Sequence, residues 1–524
     1  MNNVNISKVY LLDVPLENDY KNTLYFGSAS AQQTYFSSRV RFTFTDFSYQ
    51  RKDHFIRVPR QYDDVYKCNY VMYQNSAYSN KWFYAFITDI KYVDDGRTDV
   101  YIETDVIQTW FFDYTVKSSF VEREHVSDDT VGIHTVPEGL ETGEYIVDNK
   151  IEGRDFSTLT YIVGATIDLT DSNFPNINGC VTGGVYNGLK YFKFSNTNLL
   201  NNTLENVASA RKSDSIVSIF MGNGLFFDVI STQSGIDKIA DSDGVFDVDW
   251  GNNVVDIPNK PSTLNSYTPH NKKLLTFPFC YLMASNNNGS NAIYKYELFS
   301  SNNCDFRYIG TLTPGMSIRL QPKFYNNQAY NNEEGLNLGK FPICSWNTDV
   351  YTNWLTQNSV NIALSVGSGL VKTIGGLSLA ATGAGSVIGG GMALSGLSDI
   401  AGTLSQIYEH SLTPPQAEGN INNGDVMFSS ANFITMYQMS IKEEYAQIID
   451  KYFDMFGYKV NMVKVPNTNH RQNYWYTKCI DVNITGDVPQ NDMRKIKDCY
   501  NKGITFWKNA SNIEDYSVSN DIVV

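Results

Sequence analysis

KWFYAFITDIKYVDDGRTDVYIETDVIQTW, residues 81–110, consists of two aromatic and apolar runs on either side of Asp95-Gly96. An Asp-Gly pair between alternating runs signals a tight hairpin, because glycine accepts the positive φ that such turns need. Lys81 to Tyr92 and Asp99 to Trp110 are therefore expected to pair antiparallel, with Trp82, Tyr84, Phe86, Tyr101 and Trp110 supplying much of the sheet's buried area. Outward from this hairpin, Val9 to about Tyr145 reads as successive strands. In Arg41 to Tyr49, Phe42 and Phe44 share a face, and the register shifts before Phe47 and Tyr49, as at a bulge or strand end. Aromatic residues make up 14% of the chain, with 35 Tyr and 30 Phe, which favours strands.

At 524 residues the chain can bury more than one core, and about 150 residues per domain suggests two to four units. Its formal net charge of −14 opposes specific binding of DNA or RNA, although a conduit through which DNA slides benefits from the same repulsion. The seven cysteines are scattered and form no CxxC, so neither a zinc site nor a disulfide framework is expected. The opening MNNVNISKVYLLDVP lacks the basic-then-apolar order of a secretion signal, which implies synthesis in a cytoplasm.

Thr373 to Ser398, TIGGLSLAATGAGSVIGGGMALSGLS, carries no charge and is bracketed by Lys372 and Asp399. As a helix rising about 1.5 Å per residue, it is long enough to cross a hydrocarbon layer roughly 30 Å thick. Its glycines each cost a helix about 1 kcal/mol relative to alanine, which suggests a segment that changes state. Two readings stay open: a helical hairpin buried between subunits or domains, and a membrane-active loop in which Gly385 and Gly389 give GxxxG spacing. A dinucleotide cradle is disfavoured, because it needs a preceding strand and an acidic residue about 20 positions on, at the end of the next strand, and only Asp399 lies near, in the wrong place. Thr413-Pro414-Pro415 ends any helix on the far side.

In the middle of the chain, Tyr161 to Leu169 and Leu274 to Met283 are expected as buried strands, and Leu199 to Phe220 as a helix interrupted near Ser213. Farther on, Ile441 to Phe456 is expected as an amphipathic helix with Ile441, Tyr445, Ile448, Ile449, Tyr452, Phe453 and Phe456 on its apolar face and Gly457 as C-cap. Asn491 is expected to cap a second helix that carries Met493 and Ile496 inward and closes at Gly503.

Catalytic chemistry is sparse. Glu122, Glu124 and His125 lie close together, but on a strand the two glutamates share one face and the histidine takes the other. They are better read as a charged face, with Arg123 making a turn or intersubunit contact. No HExxH, GxSxG or GxxxxGK[ST] occurs, so no catalytic residue, metal or cofactor is assigned.

DVPLENDYKNTLYF (Asp13 to Phe26), YQNSAYSNKWFYAF (Tyr73 to Phe86), DVIQTWFF (Asp105 to Phe112) and SFVEREHV (Ser119 to Val126) resemble the distal tail knob proteins of phi29-like short-tailed bacteriophages. YKVNMVKVPN (Tyr458 to Asn467), TKC at Thr477 to Cys479 and KGITFW (Lys502 to Trp507) carry the resemblance at the other end, and a Gly-rich apolar loop separates the two blocks in that family as Val360 to Leu412 does here. The region from about Ile146 to Phe341 is read from pattern alone.

The resemblance implies a mainly β (α+β) chain of tail-tube-like β-barrel domains forming a ring or tube. It divides into an N-terminal tube domain (1–145), a middle knob region (146–345), the Gly-rich loop (346–415) and a C-terminal tube domain with two helices (416–524). It further implies a hexameric homo-oligomer at the distal end of the phage tail, in contact with other tail and collar proteins. DNA would pass through it without specific binding on ejection. The loop would plug the lumen and then penetrate the host membrane through Leu364, Leu370, Ile374, Leu377, Leu379, Gly385, Val387, Ile388, Gly389, Met392, Leu394 and Leu397, with Lys372 and Asp399 at the water interface. The alternative is a tail-tip or receptor-binding protein in which the loop is only a plug or packing element.

Overall fold

The computed structural model describes residues 8–523 apart from 51–53, 76–77, 153–158, 178–179, 183–184, 224–228, 240–244, 250–257, 288, 312–316, 341–342 and 345–433. The chain is mainly β, as the aromatic alternation implies, and one sheet is curled into a half-barrel. It divides into two compact units, the first made of Met1–Gly143, Tyr267–Leu274 and Glu443–Val524, the second of Glu144–Ser266 and Leu275–Lys442.

In the first unit, Lys81–Asp94 and Arg97–Thr104 form the expected hairpin, closing on the pair Asp94 and Arg97 around Asp95-Gly96. They lie inside a seven-stranded sheet ordered Val40–Phe44, Val9–Leu12, Tyr70–Asn75, Lys81–Asp94, Arg97–Thr104, Phe55–Val58 and Ser48–Gln50. The second strand is shorter than its apolar pattern suggests. Asp105 accepts a hydrogen bond from the Gln108 amide at 3.0 Å and so caps the helix Val106–Trp110, which diverts the chain from the ladder after Thr104. Tyr84, Phe86 and Trp110 are buried as expected, whereas Trp82 and Tyr101 are half-buried. The break before Phe47 is a strand end.

A five-stranded sheet, ordered Asn22–Leu24, Ile504–Trp507, Tyr474–Ile480, Ser119–Glu124 and Tyr458–Lys464, joins the two ends of the chain. Its core gathers Leu12, Leu24, Phe36, Tyr70, Tyr84, Tyr474 and Trp507. The indole of Trp507 also donates to Asn22 Oδ1 at 2.8 Å, so a fully buried tryptophan keeps its one polar atom paired.

The helix Glu443–Phe456 begins later than expected because Ile441 is the last residue of a strand, Thr435–Ile441. Ile449 and Phe453 are buried with Ala446 and Asp450, but Ile448 is 65% exposed and does not belong to the inner face. Gly457 (φ +63°) ends the helix, and a Cβ there would stand 2.1 Å from the Glu124 carbonyl oxygen, so glycine is required twice over. In the second helix, Gln490–Lys502, Pro489 takes the cap position, Asn491 lies in the first turn, Ile496 points inward, and Gly503 closes the helix as expected.

In the second unit a six-stranded sheet includes Leu159–Ala165 and Ile216–Asn223. Only the first half of the expected interrupted helix is helical: Thr197–Ser209 packs Leu200 and Val207 into the core with Val163, Phe192 and Phe194. Ile216–Asn223 instead pairs with Leu159–Ala165, where β-branched Ile216, Val217 and Ile219 suit a pleated surface. The strand expected from Leu274 starts only at Cys280, after the turn Lys272–Leu275 and Pro278. A four-stranded antiparallel sheet is ordered Tyr145–Glu152, Thr435–Ile441, Cys280–Ser285 and Asn291–Tyr294.

Candidate functional site

All the residues assigned to the apolar loop, from Leu364 through Lys372, Val387 and Ile388 to Asp399, fall within 345–433 and lie outside the described residues. What is described is the strand into which that segment leads. Thr435–Ile441 occupies an inner position of the four-stranded sheet of the second unit. One face of this sheet is core: Met436, Ser440, Cys280, Leu282, Ala284 and Tyr294 are all at most 1% exposed.

The other face carries two largely apolar rows beside a polar one, Glu152, Thr435, Ser285 and Asn291. Register places Val147, Met439 and Tyr281 in one row and Lys150, Tyr437, Met283 and Ile293 in the next. Val147 is 50% and Ile293 48% exposed, and the residues between them are half-buried. Tyr145 and Phe277 flank Tyr281, with ring centres 5.4 and 6.0 Å away, and the Lys295 ammonium lies 4.7 Å from the centre of Phe277. Antiparallel sheets with one solvated face usually alternate apolar-in and polar-out, so the two apolar rows depart from the usual pattern.

The acid and imidazole groups singled out in sequence are brought together in the first unit, but inside it. Glu124 is fully buried, taking Lys464 Nζ at 2.5 Å and the Asn467 amide at 2.7 Å. Arg123 donates to the Gly457 carbonyl at 2.6 Å and pairs with Glu138, which also holds the Lys273 ammonium. Arg123 thus makes the expected turn contact, but the charged face is interior rather than solvated. Only Glu122 follows the surface pattern, paired with Lys478 at 2.9 Å.

His125 Nδ1 accepts from the Tyr476 amide at 2.7 Å and Nε2 donates to the Asp454 carbonyl at 3.0 Å. Burial, with the nearby Arg471 and Arg123 charges, lowers its pKa to about 3. A neutral imidazole with both nitrogens engaged cannot serve as a general base.

Sequence reasoning missed Asp450 and Asp454. Asp450 accepts from Tyr267 Oη, the His270 and Asn271 amides and Asn271 Nδ2 at 2.7–3.0 Å, fastening Tyr267–Leu274 to the helix. Asp454 accepts a second bond from Asn271 Nδ2 at 2.7 Å, and burial raises its carboxyl pKa. The signal was available: Asp450 stands between Ile449 and Phe453 on the inner stripe of the helix, with Asp454 one turn on.

Among the described residues, no cluster of His, Cys, Asp and Glu could hold a metal, and no helix is long and apolar enough to cross a membrane. A polar cavity of about 430 Å³ in the second unit is lined by Asp148, Asn149, Asn265 and Gln438, among others. Two of its amides satisfy each other, Asn149 Nδ2 donating to Gln438 Oε1 at 3.1 Å.

Comparison with known proteins agrees with these features. Residues 246–521 match the family model of the C-terminal domain of tail knob protein gp9 from Bacillus phage phi29, and residues 5–115 match the N-terminus of the caudoviral major tail protein. Tail knob protein gp9 of Bacillus phage PZA is 29% identical and that of Bacillus phage phi29 27% identical, each over 98% of both chains. The middle region left unmatched by sequence reading is thus covered as well. The solved bacteriophage C1 tail knob protein, gp12, has the same fold, with a TM-score of 0.64 at 18% identity over 99% of this chain and 100% of that one. The chain belongs to the family of tail knob proteins typified by gp9 of Bacillus phage phi29.

Proposed function

We propose that this chain is a structural, non-enzymatic subunit of the distal tail knob, six copies of which form a conduit closed by their apolar loops until the genome leaves. The observation that carries this reading is the uncharged stretch Thr373 to Ser398, which lies inside the region matched by the gp9 C-terminal domain. Segments 1–145 and 416–524 form the tube-like parts, 146–345 the knob and 346–415 the loop.

Six apolar loops in one lumen bury their surfaces against each other at about 25 cal/mol per Å². Once displaced, they lower their free energy by entering a bilayer, where backbone groups must pair within helices. The net charge of −14 fits a wall along which DNA slides without sticking.

Dye release from liposomes tests this, comparing the intact protein with a version in which 360–412 is replaced by a short Gly/Ser linker, both first seen as the same ring by electron microscopy. Release by the intact protein alone supports penetration. Val387→Asp with Ile388→Asp should abolish release and leave the ring intact, since each mid-membrane charge costs about 2.5–3.5 kcal/mol. Silence of the intact protein at every pH would reduce the loop to a plug or packing element.

A further inference from the structure

We infer that the polar cavity of the second unit is a binding site for a neutral, hydroxyl-rich ligand, a sugar in pyranose form, held at neighbouring hydroxyls by Asp148 and Asn149. The inference goes beyond the proposed conduit and does not depend on the membrane step.

The cavity is built where the strand Tyr145–Glu152 departs from regular pairing. Val147 faces Met439 and Asn149 faces Gln438, which are consecutive on the partner strand, so Asp148 is the extra residue of a β-bulge. Neighbours on a regular strand point to opposite faces, yet Asp148 and Asn149 both line the cavity. The bulge thus brings a carboxylate and an amide, adjacent in sequence, to one wall. Asp148 is held in place by the Ser440 hydroxyl and by the backbone amide of Asn265, a residue in the left-handed region at φ +54°.

The remaining polar groups fall into two sets. One set is spent on the scaffold. Gln438 Nε2 donates to the Asn259 carbonyl at 3.0 Å, its Oε1 accepts from Asn149 Nδ2 at 3.1 Å, and the Lys260 ammonium donates to the Phe299 carbonyl at 2.6 Å. The other set is open to a ligand: among the described residues, Asn149 Oδ1 and the side chains of Ser262, Thr263 and Asn265 have no hydrogen-bond partner.

These groups select the ligand. Carboxylate and amide oxygens accept from hydroxyls, while amide and hydroxyl hydrogens donate to them, so a molecule whose every polar group does both fits best. An anion would meet Asp148 with the Lys260 ammonium already engaged, and a cation would find Asp148 as the one acidic residue of the lining. Ile151, Pro258 and Tyr296 are buried and offer apolar surface to the C–H side of a ring, whereas Ser262 and Asn265 are exposed. At about 430 Å³ the space lies within the roughly 300–1,000 Å³ of small-molecule sites.

Saturation-transfer NMR on the full chain tests this, with methyl α-glucoside, methyl α-galactoside, methyl α-mannoside and N-acetylglucosamine as probes. At least one is expected to bind with millimolar or tighter affinity, and Asp148→Ala to weaken it about tenfold or more. Ser262→Trp, at an exposed position, should obstruct the cavity and abolish binding, so the test survives if Asp148→Ala misfolds. Val463→Thr, exposed in the first unit, should bind as the wild type does.

Silence from all four probes, or equal binding by the wild type and both cavity variants, overturns the inference. So does calcium chloride alone raising the Tm of the wild type but not of Asp148→Ala while no sugar binds, which would make the carboxylate a cation ligand. Sedimentation with purified bacterial cell walls separates the sources of the sugar: its loss in both variants assigns a wall glycan, and its persistence without pyranoside binding assigns a free sugar. Dye release should be the same in wild type and variants, so failure here leaves the conduit standing.

Discussion

The two units differ in where their most buried ions lie and in how one of their sheets is faced. The first places ions inside: Glu124, Glu138, Arg123 and Asp450 are each at most 9% exposed, and each is bound by charged partners or by donors from distant parts of the chain. The second places hydrocarbon outside, on a sheet whose opposite face already supplies the core. Buried ion pairs are weak contributors to stability compared with apolar packing, but they are directional, so one arrangement of the partner segments satisfies them. Apolar contacts on a sheet face carry no such direction. The first unit is thus built as a fixed joint among three segments of chain, and the second carries part of its hydrocarbon on the outer face of one sheet.

The largest expected effect falls on the joint. Glu138 is shared by Arg123 and Lys273, and its Oε1 also accepts from the Lys459 amide at 3.0 Å. Glu138→Ala removes the carboxylate but leaves two cations in a space from which water is excluded, which should cost about 3–5 kcal/mol in denaturant unfolding. Glu138→Gln keeps the shape and part of the hydrogen bonding and should cost less. A loss below about 1 kcal/mol for the alanine variant would mean that water reaches these charges readily, and the contrast between the units would fail.

The same contrast explains what could be read in advance. The hairpin was legible because Asp95-Gly96 is a local signal and the flanking alternation has a period of two. Gly457 and Gly503 were legible as helix ends for the same local reason. Asp105 hid a strand end, since an acidic residue inside an apolar run can cap a helix only if the chain turns there, which the pattern of Asp99 to Trp110 does not reveal. Glu138, Lys273 and Asp450 were invisible because they acquire meaning only when segments more than a hundred residues apart meet. The outer face of the four-stranded sheet was missed because Tyr281 and Met283 belong to one strand and Tyr437 and Met439 to another, separated in sequence by the loop itself. The loop was the easiest feature to find by sequence, and its residues lie outside those described.

A smaller effect follows from pH. His125 titrates near 6.5 when exposed and at about 3 in the folded unit. Between these values the unfolded chain binds a proton that the folded chain refuses, so stability falls as pH falls. The slope is about 1.4 kcal/mol per pH unit for this one group. Buried Asp105, raised to about 6, acts in the opposite sense: it is protonated in the folded unit first and returns stability as pH drops from about 6 towards its model value of 3.8. From pH 6 to 4 the two nearly cancel. His125→Gln should expose the asymmetry, becoming more stable relative to the wild type by about 1.4 kcal/mol for each unit of acidification in that window, whatever it loses at pH 7. A difference between the two proteins that stays constant from pH 6 to 4 would show that His125 is hydrated when folded.

The smallest expected effect tests the other half of the comparison. Leu282 and Ile293 lie on opposite faces of the same sheet, Leu282 at 0% exposure and Ile293 at 48%. Leu282→Ala creates a cavity in the core and should cost about 2–5 kcal/mol. Ile293→Thr keeps β-branching and exchanges an ethyl group for a hydroxyl at a half-exposed position, so unfolding in dilute protein should change by less than about 0.5 kcal/mol. A cost of 2 kcal/mol or more at Ile293 would place this residue in a permanent core. The second unit would then be buried on both faces of this sheet, and its outer surface would be as fixed as the joint in the first.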